Sequence, residues 1–215
     1  VNLDILDFLV EGGIEKGKWA WFMDCNHQAA VFGNYEKRAH DKLKIAAKSI
    51  KSLDLNCRNT NQIVNLLKNL FPTAEHSFAR LDGEQVNIAR YKPDDFYEKI
   101  KKQITKIMNL GFKADEIVVL SPLAARKSSL KKWLEQGEAN NFYVKIPNIG
   151  KISFATVSAF KGLESSAIIL IDVEKIDHEW WESVIYVGIT RACYWISIFA
   201  TDNFIKEYNK RTANG

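Results

Sequence analysis

Ile117-Val118-Val119-Leu120-Ser121 is an almost unbroken apolar run, rich in β-branched residues. A strand that shows one face to water alternates apolar and polar side chains, so such a run reads as a strand buried on both faces, as in a parallel sheet covered by helices. Upstream, a helix is expected to open near Pro93, with Asp94 and Asp95 at its positive end. Phe96, Ile100, Ile104, Ile107 and Met108 fall on one face, and Gly111 stops it. Its other face is lysine-rich and solvated. Downstream, residues 124–135 read as helical.

Further out, Asn59 or Thr60 caps a helix whose Ile63, Val64, Leu67, Leu70 and Phe71 share a face, and Pro72 ends it. Buried strands are expected at Trp19 to Met23, Leu53 to Asn56, Phe154 to Val157, Ala167 to Ile171 and Trp195 to Phe199. Gly137, Asn140, Asn141, Pro147, Asn148 and Gly150 mark a loop or small hairpin around Phe142 to Ile146. Helices alternating with short buried strands define a parallel α/β class.

The 215 residues suit one domain, or one plus a fragment. With 47% hydrophobic and 26% charged residues, and only 11 Gly and 4 Pro, the composition is globular rather than disordered or collagen-like. No apolar run approaches the roughly 18 residues of a membrane span, and the start lacks a signal-peptide layout, so a cytoplasmic protein with no membrane partner is expected. Cys25, Cys57 and Cys193 form no CxxC pair and read as reduced, mostly buried thiols. With four scattered histidines, no metal site built from protein ligands is expected. A net charge of +4 permits nucleic-acid binding without arguing for it.

Gly12, Gly17 and Lys18 match GxxxxGK, but Trp19 stands where a phosphate loop places Ser or Thr, and a strand-like segment follows the glycines instead of a helix. An ordinary turn is the better reading. Three other stretches carry more. Leu55-Asn56-Cys57-Arg58-Asn59-Thr60 ends a strand and opens a helix; Thr156-Val157-Ser158-Ala159-Phe160-Lys161-Gly162-Leu163-Glu164 follows a strand; Tyr186-Val187-Gly188-Ile189-Thr190-Arg191-Ala192 precedes one. In an open α/β sheet such segments gather along one edge, where ligands bind. Arg58 and Arg191 are thereby expected to converge on a phosphate, which the planar guanidinium fork suits.

In this order the three stretches resemble motifs IV, V and VI of the UvrD/Rep type of superfamily 1 DNA helicases, roughly NYRS, TxHxxKGLE and YVGITRA. Phe22-Met23-Asp24-Cys25-Asn26-His27-Gln28 resembles motif III, roughly GDxxQ. The resemblance implies a RecA-like three-layer α/β/α sandwich with a mostly parallel sheet. It implies that Arg58 and Arg191 reach the γ-phosphate of ATP bound between two RecA-like domains, that Glu164 holds the ribose hydroxyl, and that Gly162 allows close backbone approach. Gln28 would sense the γ-phosphate, and Thr156 and Ser158 would lie near single-stranded DNA. One extra residue between Asp24 and Gln28 leaves His27 as an alternative to Gln28. Ser158 replaces the usual histidine and Cys57 the usual tyrosine.

A Walker A loop and an acidic magnesium motif, both upstream of motif III in the family, are missing here. The resemblance therefore implies that residues 1–33 are the tail of a first RecA-like domain and 34–215 the second, with ATP and Mg2+ as cofactors and the magnesium ligands in the missing N-terminal part. Alone, the chain is expected not to hydrolyse ATP; Arg191→Ala in the intact enzyme is expected to lower turnover at least about a hundredfold while sparing the fold. The rival readings are a non-enzymatic helicase-like module that binds a protein or nucleic acid, and a helicase domain fused to a nuclease in defence or repair. Trp19, Trp21 and Trp195 are expected to fill core, and one of Trp180 and Trp181 to face outward.

Overall fold

A computed structural model of the chain describes residues 3–21, 37–51, 55–72, 78–79, 81–92, 95–135, 142–143, 150–176 and 179–213. Three helices come first, α1 (Leu3–Leu9), α2 (Gly13–Lys16) and α3 (Lys37–Ala46). They are followed by β1 (Leu55–Asn56), α4 (Asn61–Leu70), β2 (Phe78–Ala79), β3 (Asn87–Arg90), α5 (Phe96–Asn109) and β4 (Ile117–Ser121). The remainder is α6 (Lys131–Glu135), β5 (Phe142–Tyr143), β6 (Ile152–Thr156), β7 (Ser165–Val173), α7 (Glu179–Thr190), β8 (Ala192–Ala200) and α8 (Asp202–Ala213).

Six strands form one sheet in the order β3-β8-β7-β4-β6-β5, every pairing parallel. β4 lies inside it and is buried along its whole length, as its apolar run requires. The period of two along a strand divides its side chains between two cores. Val118 and Leu120 join Ile63, Leu67, Leu170, Val187 and Phe204 beneath α4, α7 and α8. Ile117 and Val119 join Ile100, Ile107, Trp133, Phe154 and Trp195 beneath α5 and α6. Helices on both faces of a parallel sheet make the three-layer α/β/α sandwich. Thr60 is the extended residue that opens α4, and Gly111, with φ 99°, closes the turn after α5.

Several expectations are corrected. Trp19 to Trp21 are not in a strand, and Phe22 and Met23 lie outside the described residues. Trp19 Nε1 instead donates to Ile14 O at 2.6 Å, and Trp21 is 37% exposed, so neither fills the core as Trp195 does. Gly12 and Gly13, at φ 83° and 71°, make the ordinary turn expected in place of a phosphate loop. The expected strand at Leu53 to Asn56 is described only at Leu55 and Asn56, which pair with β2 outside the main sheet. The 124–135 helix breaks into a single 3-10 turn at Ala125–Lys127 and the short α6. Ser128 is the reason: its hydroxyl donates to Asp172 and accepts from Leu130 N, which competes with helical hydrogen bonding. Phe142 and Tyr143 add a parallel edge to β6 and are no hairpin with it.

Of the thiols, Cys57 is exposed rather than buried, Cys193 is half-buried, and Cys25 lies outside the described residues. Trp180 is exposed and Trp181 buried, their rings edge to face at 5.1 Å. Among the described residues no helix is long and apolar enough to cross a membrane.

Candidate functional site

The loop after β1 is built on one side chain. Asn56 Oδ1 accepts from the backbone N–H of both Arg58 and Asn59 at 2.9 Å, an Asx turn that ends the strand and presents Arg58 before α4 begins. Arg58 Nε donates to Glu164 Oε2 at 2.7 Å. Both side chains are substantially exposed, so the pair contributes at most about 1 kcal/mol to stability, and either partner is free to exchange it for a ligand.

Arg191 is placed quite differently. It sits between α7 and β8, only 3% exposed. Its Nε donates to Val187 O at 3.2 Å, one terminal nitrogen to Leu163 O at 3.4 Å and the other to Thr190 Oγ1 at 3.0 Å. A cation is thus set against the negative end of α7, where the last carbonyls lack helical partners. The bond to Leu163 ties it to the loop that carries Glu164, and its own carbonyl accepts from Ser165 N at 3.1 Å. Burial pushes the Cys193 thiol up; Glu164 adds to this while Arg58 and Arg191 pull it back, so all three charges act on one neighbourhood. The expectation that Arg191→Ala spares the fold is therefore corrected, because truncation leaves several carbonyl and hydroxyl groups without this partner.

The loop from Thr156 to Glu164 is a run of turns. Phe160 N donates to Thr156 O and Leu163 N to Phe160 O, both at 3.0 Å. Gly162 has φ 89°, which favours glycine, and a Cβ there would meet open space. The register also separates residues that the sequence placed on one edge. β4 pairs Ser121 with Thr156 and Leu120 with Leu170, so Thr156 is level with Ile171, at the carboxyl edge. Glu164 and Arg191 precede β7 and β8 at the amino edge, about seven strand residues or 23 Å away along the strand direction. Arg58, Gly162, Glu164 and Arg191 thus come together, and Thr156 and Ser158 stand apart from them. Thr156 Oγ1 accepts from Ala159 N at 3.1 Å, a local bond. Gln28 and His27 lie outside the described residues.

One member of the site was read in the sequence only as a possible helix cap. Asn59 is buried, and its Nδ2 donates to Thr190 O at 3.2 Å and Ala192 O at 2.6 Å, on either side of Arg191. An amide wedged between a candidate phosphate-binding arginine and the helix start was the available signal. Beside Cys193, an open cleft is lined by Glu84, Leu110, Phe112, Ser166 and Tyr194. Among the described residues no group of three or more His, Cys, Asp or Glu side chains could hold a metal ion.

No protein-family model matches the sequence, and no curated protein matches it. Among solved structures, the C-terminal domain of a possible DNA helicase from Lactobacillus plantarum WCFS1 superposes with a TM-score of 0.51 at 15% identity, covering 69% of this chain and 89% of that one. Arterivirus nonstructural protein 10, a helicase, matches at 14% identity over 73% of this chain and 27% of that one; its TM-score of 0.33 carries no argument about fold. The first likeness, with the all-parallel sheet between two helical layers, establishes an α/β fold consistent with the RecA-like class.

Proposed function

We propose that the chain is the C-terminal motor domain of an ATP-dependent superfamily 1 DNA helicase or translocase of the UvrD/Rep type. The observation that carries this reading is the convergence of Arg58, Glu164 and Arg191 from three stretches far apart in sequence. Arg58, the exposed cation, swings from Glu164 to the γ-phosphate of ATP when the partner RecA-like domain closes on it. Glu164, once released, accepts from the ribose hydroxyls. Gly162 leaves the backbone beside them open. Arg191 supports the floor of the cleft and adds positive charge toward the phosphates, as electrostatic stabilisation of phosphoryl transfer requires. Gln28 couples the γ-phosphate to movement, and Thr156 and Ser158, on the far edge, face single-stranded DNA. Magnesium is held by the partner domain.

The test is DNA-stimulated ATP hydrolysis by the intact protein. Arg58→Ala, which removes an exposed side chain, is expected to lower turnover at least about a hundredfold, by the scale of arginine-finger effects. A rate within a few fold of the parent removes Arg58 from the mechanism, and an intact protein that hydrolyses no ATP sinks the motor reading and leaves the non-enzymatic helicase-like module.

A further inference from the structure

We infer that Asn59 is a positioning residue that holds Arg58 and Arg191 as one unit; the inference rests on the functional reading above and adds to it a residue that the motif resemblance does not assign. The two arginines belong to separate parts of the fold. Arg58 follows β1, which among the described residues pairs only with β2, whereas Arg191 precedes β8 in the main sheet. Sheet register therefore does not set their separation. Apolar packing of α4 brings the parts together, but it is non-directional and does not fix a loop to a fraction of an ångström.

Asn59 supplies the direction. Its Oδ1 accepts from Asn56 Nδ2 at 2.9 Å, and its two amide hydrogens go to Thr190 O and Ala192 O. Carbonyls only accept, so the amide has one workable orientation and every hydrogen is used. Asn56 in turn accepts from Arg58 N. The chain of bonds runs from the Arg58 backbone through Asn56 and Asn59 to the residues flanking Arg191. The Arg58–Glu164 pair, exposed and due to open on ligand binding, cannot do this work in the bound state; the buried Asn59 amide can.

The test compares the parent chain with Asn59→Asp, which keeps the shape and loses the donors, and Asn59→Ser, which keeps one donor. Hydrogen exchange of the Arg191 Nε–H and the Arg58 backbone N–H is followed by NMR, with the Val118 to Leu120 amides as an internal reference. A positioning role predicts exchange at least about tenfold faster at both arginines in Asn59→Asp, an intermediate change in Asn59→Ser, and reference amides within about threefold of the parent. Arginine signals that do not change, or reference amides that accelerate in step, overturn the inference; if Asn59→Asp does not fold, Asn59→Ser decides by the same comparison. In the intact protein, the turnover losses of Asn59→Asp and Arg58→Ala should combine to clearly less than their product, since the part of the Asn59 effect that runs through Arg58 is already gone in Arg58→Ala while the part that runs through Arg191 remains. Losses that multiply in full mean that Asn59 acts independently of Arg58 and overturn the inference. Absence of DNA-stimulated ATP hydrolysis by the intact parent refutes the motor reading separately, whatever the exchange data show.

Discussion

Replacing Asp172 with alanine is expected to destabilise the domain by about 3–5 kcal/mol. Asp172 is buried near the end of β7 and has φ 57°, the one non-glycine residue with positive φ among those described. Its Oδ2 accepts from Ser121 Oγ at 2.6 Å and Ser128 Oγ at 2.7 Å, and its Oδ1 from Ser129 N at 3.0 Å. Hydrogen bonds to a charged acceptor are worth about 1.5–3 kcal/mol each, and three of them are offset by several kcal/mol for keeping a carboxylate from water. Alanine at this φ adds about 1–2 kcal/mol of backbone strain. Asparagine tolerates the conformation, keeps an acceptor for Ser129 and can donate to a serine hydroxyl, so its loss should be about 1–2 kcal/mol. Glycine removes the strain and none of the hydrogen-bond loss, and belongs between the two. Equilibrium urea unfolding, followed by tryptophan fluorescence, measures all three. An alanine variant within 1 kcal/mol of the parent, or a glycine variant no more stable than alanine, would refute the reasoning.

Gly188 faces β7 from α7: a Cβ there would lie 3.1 Å from Leu170 Cδ1 and 3.4 Å from Val157 Cγ2. Gly188→Ala should be within about 1 kcal/mol of neutral, because improved helix propensity offsets the crowding, whereas Gly188→Val forces two further methyl groups into closed space and should cost about 2–4 kcal/mol. Thermal melts with a valine variant as stable as the alanine one would contradict that packing. Burial pushes the Tyr91 phenol up, with Asp172 and Glu174 adding to the rise and a hydrogen bond with Ser129 opposing it. Since the folded state then holds its proton to higher pH than the unfolded chain, this contribution is complete below the ordinary value of 10.0 and is lost as pH rises through the folded value. Stability of the parent should accordingly fall faster above pH 10 than that of Tyr91→Phe, and parallel curves from urea titrations would exclude the assignment.

The parallel α/β class and most of its elements follow from local pattern alone. Ile117 to Ser121, the 3.6-residue spacing in α4 and α5, and Gly111 each carry their own physics, since burial on two faces, burial on one face and a left-handed turn leave different residues behind. The stretches around Arg58, Glu164 and Arg191 pointed to the candidate site through their ordered resemblance to helicase motifs. What the pattern could not supply were properties that depend on distant partners. Trp21 looks like core, yet it is 37% exposed and in no strand; Ala124 to Glu135 look helical until Ser128 finds Asp172 from β7. Thr156 and Glu164 are eight positions apart in sequence, yet sheet register sends them to opposite edges. Arg58 and Arg191 have the same chemistry, and only tertiary packing leaves one exposed on Glu164 and buries the other against the end of α7. Asn59 is legible as a cap because capping is local, but its hold on Thr190 and Ala192 spans more than a hundred residues of chain, a separation that only the fold closes.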